Sequence, residues 1–253
     1  MMLRIGCCGF TRAQSEYARC LSLVEVQTTF YKPPRVETAV RWREAAPADF
    51  QFTLKAWQLI THEPSSPTYR RSGVHIPEGA RDRYGSFRPT PEVEEAWQRT
   101  LEIAHALQAR LILFQCPASL PPDEMHVAWL REFFRRHIQP DLTFAWEPRG
   151  CWPTVLIREL CSELELIHAV DPFQGLPVTA GTAYFRLHGR SGYRYRYSDE
   201  DLRQLLSWCQ EYPTAYVLFN NASMWEDALR FRAMVRNVEP PVNTEKADNW
   251  PLF

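Results

Sequence analysis

No run of about 20 apolar residues occurs in this 253-residue chain, so nothing in it reads as a bilayer-spanning helix. The opening MMLRIGCCGF lacks the basic region, long apolar core and cleavage site of a secretory signal, and a cytoplasmic protein without membrane contact is expected. Neither G-x-G-x-x-G nor G-x-x-x-x-G-K-[ST] follows any apolar run, which removes the usual dinucleotide and phosphate-loop signatures. No excess of one charge exists either. With 29 Lys and Arg against 30 Asp and Glu, bulk electrostatics point to neither a nucleic-acid binder nor an acidic tail. The seven cysteines are odd in number, irregularly spaced and contain no C-x-x-C pair. A chain of this size needs no disulfide framework, so reduced thiols are expected. Internal repeats, low-complexity tracts and linkers are missing too, and residues 1–253 read as a single domain.

What is present is a large supply of core-forming residues, 45% hydrophobic and 13% aromatic. Short apolar runs that stop at polar or Gly/Pro punctuation predict strands at residues 3–7, 23–27, 50–55, 111–115, 143–147, 166–171, 183–188 and 215–220. Helical spacing between them predicts helices at 37–46, 91–107, 123–136, 153–163, 199–210 and 225–236, several opening on a cap or first-turn proline such as Thr90-Pro91 or Ser198-Asp199. This rhythm predicts a single α/β barrel of the (β/α)8 TIM type, with an open doubly wound sheet as the alternative. Residues 57–90 are too long for an ordinary βα loop and are expected to be a lid or insertion, and residues 237–253 a C-terminal extension in which Trp250 and Phe253 dock on the body.

In such a barrel the C-terminal strand ends converge on the face where reacting groups sit. Here they carry Cys7 and Cys8, Glu25 and Gln27, Lys55, Gln115 and Cys116, Glu147 and Arg149, Asp171, Arg186 and His188, and Asn220 with Asn221. Each also has a plain structural reading. Glu147 and Arg149 would tie down a loop as an ion pair, Lys55 would pack its stem on the rim, and His188 would be a core histidine bonded to backbone. The asparagines would cap a helix and His62 would bond within its loop. Cys7, Cys8 and Cys116 offer a metal or iron–sulfur alternative that their spacing does not support, and His62, His188, Glu25 and Glu147 an equally unsupported N/O site. No cofactor is indicated.

The strand-end segments IGCCGF, VEVQTTFY, FQFTLKAWQLITH, LFQCP, WEPRGCW, AVDPF, YFRLHG and LFNN, in this order, resemble the DUF72 family, a group related to bacterial YecE proteins. The resemblance covers most of the chain and implies a TIM-type barrel with no settled activity. Carried over onto this sequence, its motif positions are Glu25, Thr29, Phe30, Tyr31, Lys55, His62, Gln115, Glu147, Arg149, Asp171, Arg186, His188, Gly189 and Asn220. The family opening is nearer G-x-S-G-W, so Gly6-Cys7-Cys8-Gly9-Phe10 puts a thiol where a hydroxyl usually stands.

Cations at Lys55, Arg149, Arg186 and His188 facing carboxylates at Glu25, Glu147 and Asp171 suit a small anionic ligand, sugar-like or nucleotide-like. The expected roles are catalytic for Glu25, Lys55, Glu147 and His188. For Gln27, Tyr31, His62, Gln115, Arg149, Asp171, Arg186 and Asn220 substrate binding is expected. Glu25, between Val24 and Val26, reads as the general acid, and Glu147, beside Arg149 at a hydrated mouth, as the anionic partner or base. Lys55 would form a Schiff base only if burial depresses its pKa. An enzyme of hydrolase, lyase or isomerase type is expected. The alternative is a non-catalytic module for a nucleotide or nucleic-acid end, using the Arg- and Tyr-rich segments 69–88 and 190–197.

Overall fold

The computed structural model describes residues 1–238. In it eight strands, all parallel to their neighbours, close into a barrel in chain order. They are β1 (Met2–Cys8), β2 (Leu23–Val26), β3 (Gln51–Lys55), β4 (Leu111–Gln115), β5 (Thr143–Glu147), β6 (Ile167–Val170), β7 (Thr182–Leu187) and β8 (Thr214–Phe219). The helices are α1 (Gln14–Cys20), α2 (Thr28–Tyr31), α3 (Val36–Ala45), α4 (Gln58–Thr61), α5 (Pro91–Leu107), α6 (Glu124–His137), α7 (Thr154–Glu163), α8 (Asp199–Gln210) and α9 (Met224–Val238). Every strand except β6 is followed by at least one of them. The TIM-type expectation therefore holds, and pairing of β1 with β8 rules out the open doubly wound sheet. No helix among the described residues is long and apolar enough to cross a membrane.

Side chains alternate across a strand, so each apolar run feeds two cores. One parity points into the barrel, where Cys8, Leu23, Leu111, Leu113, Ala145, Ala169, Tyr184 and Leu218 pack together. The other parity points at the helices, where Cys7, Val24, Leu54, Ile112, Phe114, Trp146, Phe185 and Phe219 belong to the larger outer core. Burial on both faces is why the strands read as continuous apolar runs. In the outer core an aromatic cluster surrounds Phe114, whose ring centroid lies 6.2 Å from Phe87, 6.1 Å from Trp97, 5.0 Å from Phe134 and 5.4 Å from Phe144. Each such aromatic side chain contributes about 1.5–3 kcal/mol by leaving water.

The long segment after β3 is an insertion folded back on its own first turn and joined to the outer core at Phe87. Gly85 N donates to Leu59 O at 2.8 Å, Phe87 N to Ile60 O at 2.9 Å, and the Tyr69 hydroxyl to His62 O at 2.8 Å. Ser86 and Phe87 hold left-handed φ values of 54° and 57°, a strained pair kept in place because the Phe87 ring is only 1% exposed in the aromatic cluster. Of the expected lid or insertion, the structure has an inserted segment whose Phe87 packs on Phe114, Phe133 and Phe134 of the outer core. Of the expected extension, Asn237 and Val238 finish α9, while Trp250 and Phe253 lie outside the described residues.

Candidate active site

The inward parity carries the site. It runs through Cys8, Glu25, Lys55, Gln115, Glu147 and Arg186 at the strand ends, and continues to Gln27, Arg149, Asp171, His188 and Asn220 just beyond them. Strand register sets Cys8 beside Glu25 and Gln115 beside Glu147, so the polar groups form adjoining rungs at one end of the barrel.

Arg186, 1% exposed, is the centre of the cluster. Its Nε donates to Glu25 Oε2 at 3.0 Å and its Nη2 to Glu25 Oε1 at 2.8 Å, while Nη1 donates to Glu147 Oε2. Nη1 also reaches Gln115 Oε1 at 3.5 Å, and Nη2 reaches Cys8 Sγ at 3.7 Å. Burial alone would weaken the guanidinium's hold on its proton. The carboxylates of Glu147 and Glu25 outweigh that and keep it well above its ordinary range. Tyr184, a residue the strand-end reading missed, donates its hydroxyl to Glu25 Oε2 at 2.7 Å and sits 3.0 Å from Thr53 Oγ1. The signal for it was its inward parity, two residues before Arg186.

Glu25 is therefore a fully buried, multiply bonded carboxylate. The apolar walls expected around it are not there, because its neighbours Val24 and Val26 face outward. Gln27 also donates to it from the rim. Glu147 is 5% exposed and accepts from Arg186 on one oxygen and from Arg149 Nε and Nη2, at 3.0 and 2.8 Å, on the other. Burial pushes its pKa up, but Arg186 and Arg149 overcome this and hold it at about 2. Of the two expected roles, anionic partner or base, a carboxylate so weakly basic and so fully bonded suits the first: it anchors two arginines, and its own surroundings are packed and not hydrated.

Lys55 differs from its neighbours. Its Nζ lies 3.5 Å from the centre of the Phe30 ring, and it donates to Gln115 Oε1 at 2.9 Å. Burial first, then the positive charge of Arg186, lowers its pKa from 10.5 to about 7, against the opposing pull of Glu147 and Glu25. At the solvent edge Arg149 and His188 remain 40% and 29% exposed. Arg149 Nη2 lies 3.0 Å from His188 Nε2, and His188 Nδ1 lies 3.7 Å from Asp171 Oδ2.

Other expected ligand-binding residues have structural partners. Asp171 accepts from His188 N at 2.9 Å and Phe173 N at 3.1 Å, shaping the β6 loop. His62 is 4% exposed, bonded to Thr61 Oγ1 at 2.8 Å and packed edge-on to Phe30 at 4.9 Å. Burial and the charge of Lys55 lower it to about 3, so it is a neutral packing group and not a cation for an anion. The Tyr31 hydroxyl accepts from Arg71 at 3.0 Å, under a guanidinium stacked 3.9 Å from its ring. Asn220 is half-buried on the inward parity, whereas Asn221 is fully buried and donates to Tyr195 O at 2.7 Å and Asp227 Oδ2 at 2.8 Å. The Arg- and Tyr-rich loops are similarly engaged: Asp201 accepts from Arg190 at 2.7 Å and from the Tyr195 hydroxyl at 2.6 Å.

The three strand-end thiols do not converge. Cys8 faces inward, while Cys7 and Cys116 face the helices, Cys116 Sγ accepting from Trp146 Nε1 at 3.2 Å. Burial raises Cys7 and Cys116 to about 12, the wrong direction for thiolate ligands. Among the described residues no group of three or more His, Cys, Asp or Glu is placed to hold a metal ion.

An eight-stranded parallel barrel with an arginine-centred ionic cluster at its C-terminal strand ends defines the class. The chain belongs to the DUF72 family, whose model, described as "Protein of unknown function DUF72", matches residues 5–249. A 48-residue stretch is 44% identical to the UPF0759 protein YecE of Escherichia coli K12, covering 19% of this chain and 18% of that protein. A DUF72 family protein from Enterococcus faecalis V583 superposes with a TM-score of 0.73 at 22% identity, over 98% of this chain and all 100% of the other. A D-tagatose 3-epimerase-like protein shares the fold with a TM-score of 0.56 at 12% identity, over 94% of this chain and 96% of the other.

Proposed function

We propose that this protein is an enzyme of lyase or isomerase type that acts on a small anionic, carbonyl-bearing compound, sugar-like or nucleotide-like, at the C-terminal mouth of the barrel. The observation that carries the reading is Lys55, a buried amine over an aromatic ring with a pKa near 7. Such an amine is about half unprotonated at neutral pH, which gives it the free lone pair that a nucleophile or general base needs. Arg149, with His188 beside it, is the exposed cation that meets the anion, and Glu147 and Glu25 hold the arginines in place. A hydrolase using two carboxylates as acid and base is less well supported, because Glu147 is held at about 2 and Glu25 is enclosed by Arg186 and Tyr184.

In the covalent form of this reading, the Lys55 amine adds to the ligand carbonyl to give a carbinolamine. Loss of water with uptake of one proton then yields a protonated imine, whose positive charge favours departure of a proton, or of a carboxyl group as carbon dioxide, from the adjacent carbon. The chain has three lysines, Lys32, Lys55 and Lys246, so the covalent test reads cleanly. Borohydride added with a small phosphorylated or carboxylated ketone should fix one adduct, located at Lys55 by peptide mass spectrometry. The yield should rise as pH passes through about 7. A general-base role gives no adduct and is read instead as ligand-dependent exchange of a carbon-bound proton that disappears in Lys55→Met. Neither adduct nor exchange across a panel of such ketones would sink the reading.

A further inference from the structure

At the opposite end of the barrel lies an open cavity of about 470 Å3, whose lining meets the network of the C-terminal mouth at Thr53. Three of its strands start with threonine, Thr143 on β5, Thr182 on β7 and Thr214 on β8, so hydroxyls ring the rim. Beneath them lies Arg4 of β1, on the inward parity, with its Nε buried and without a hydrogen-bond partner among the described residues. Gln51 Oε1, at the start of β3, is buried and unpartnered in the same way. Arg110 adds a second cation at the exposed edge. Arg43 also lines the cavity, but its guanidinium already donates to Phe50 O at 2.6 Å, and the charge of Asp49 bears on it.

A buried guanidinium nitrogen without a partner is rare in a folded protein, because the lost hydration goes uncompensated. A ring of hydroxyls above it supplies neutral donors. We infer that the N-terminal end of the barrel is a second ligand site, which takes the phosphate group of a small molecule on Arg4, Arg110 and the threonine rim. Phosphate suits it better than a carboxylate, since its tetrahedral oxygens can accept from an arginine fork and from several hydroxyls at once. The site is separated from the ionic cluster by Thr53 and Tyr184, and it does not rest on the function proposed for the mouth.

The test uses the full-length protein and inorganic phosphate, titrated by calorimetry and thermal shift at constant ionic strength. Wild type and Arg203→Gln, an exposed position on α8 outside both sites, should bind alike. Arg110→Gln, at an exposed position, should weaken binding severalfold, and Arg4→Gln by about tenfold or more, the factor expected when one charge-assisted contact is lost. Equal affinity in wild type and both cavity variants overturns the inference, as does no binding to wild type. Loss confined to Arg149→Gln would place the phosphate at the mouth and also overturn it. Should Arg4→Gln fail to fold, Arg110→Gln alone decides.

Discussion

Arg186 is a cation that could not be buried without its two carboxylates. Breaking a buried pair costs about 3–5 kcal/mol, most of it the penalty for the charge left behind. Glu147→Gln leaves Arg186 with Glu25 alone and turns an amide nitrogen toward a guanidinium, so a Tm fall of more than about 8 °C is expected at ~2–4 °C per kcal/mol. Arg149→Gln removes a cation that is 40% exposed, and its Tm should stay within about 4 °C of wild type. Melting the two side by side decides between an anchored cluster and a loose hydrated one: equal shifts would count against the anchor. Lys55 makes a different prediction. Its pKa is about 7 in the folded chain and near 10.5 when unfolded, so between those values the unfolded chain binds the extra proton. Stability then rises with pH through Lys55, whereas buried thiols such as Cys209, raised from 9.0 to about 12, oppose it only near pH 9 and above. From pH 7 to 8.5 the stability of wild type relative to Lys55→Met should therefore climb. A flat difference in urea titrations over that interval would mean that Lys55 keeps its ordinary pKa.

At the scale of elements, the best-marked helices are those whose ends are written in side chains. Thr90 and Pro91 start α5, where Thr90 Oγ1 accepts from Val93 N at 3.4 Å, and Ser198 starts α8 in a reciprocal cap with Asp201. Helix α1 escaped notice because its seven residues bury only Tyr17 and neither Gly nor Pro flanks them closely, leaving no periodicity to read. Asp201 does more than cap. Besides Ser198 it holds Arg190 and Tyr195, and so fixes the β7–α8 loop. Ser198→Ala should cost about 1 kcal/mol and leave that loop unchanged. Asp201→Ala should cost more and speed amide exchange across residues 190–197. Comparable costs with exchange unaltered in both variants would show that the loop is held by other contacts.

For the whole molecule, the order of strands was legible because each is an apolar run ending in a polar group, and a parallel barrel repeats that eight times. The inward parity then selects which strand-end residues share a centre. It does not say which pair with each other: that Arg186 takes both carboxylates while Lys55 is left to Phe30 depends on rotamers set by the whole ring. Nor did apolar runs draw attention to Thr53 and Tyr184, polar residues within strands whose partners come from across the barrel. Closure itself rests on a position with no side chain. A Cβ on Gly6 would lie 2.0 Å from Leu23 O, on the neighbouring strand, and backbone there cannot yield without parting β1 from β2. Because β1 also carries the seam to β8, the strain belongs to the entire barrel. Overpacking of this kind costs about 1–3 kcal/mol or more, so Gly6→Ala should lower Tm by at least several degrees at ~2–4 °C per kcal/mol, in one transition seen alike by tryptophan fluorescence and far-ultraviolet circular dichroism. Gly79→Ala, where a Cβ meets nothing within 4 Å, is the matched control and should melt like wild type. If Gly6→Ala melts with the control, β1 and β2 have room to separate and barrel closure does not depend on glycine.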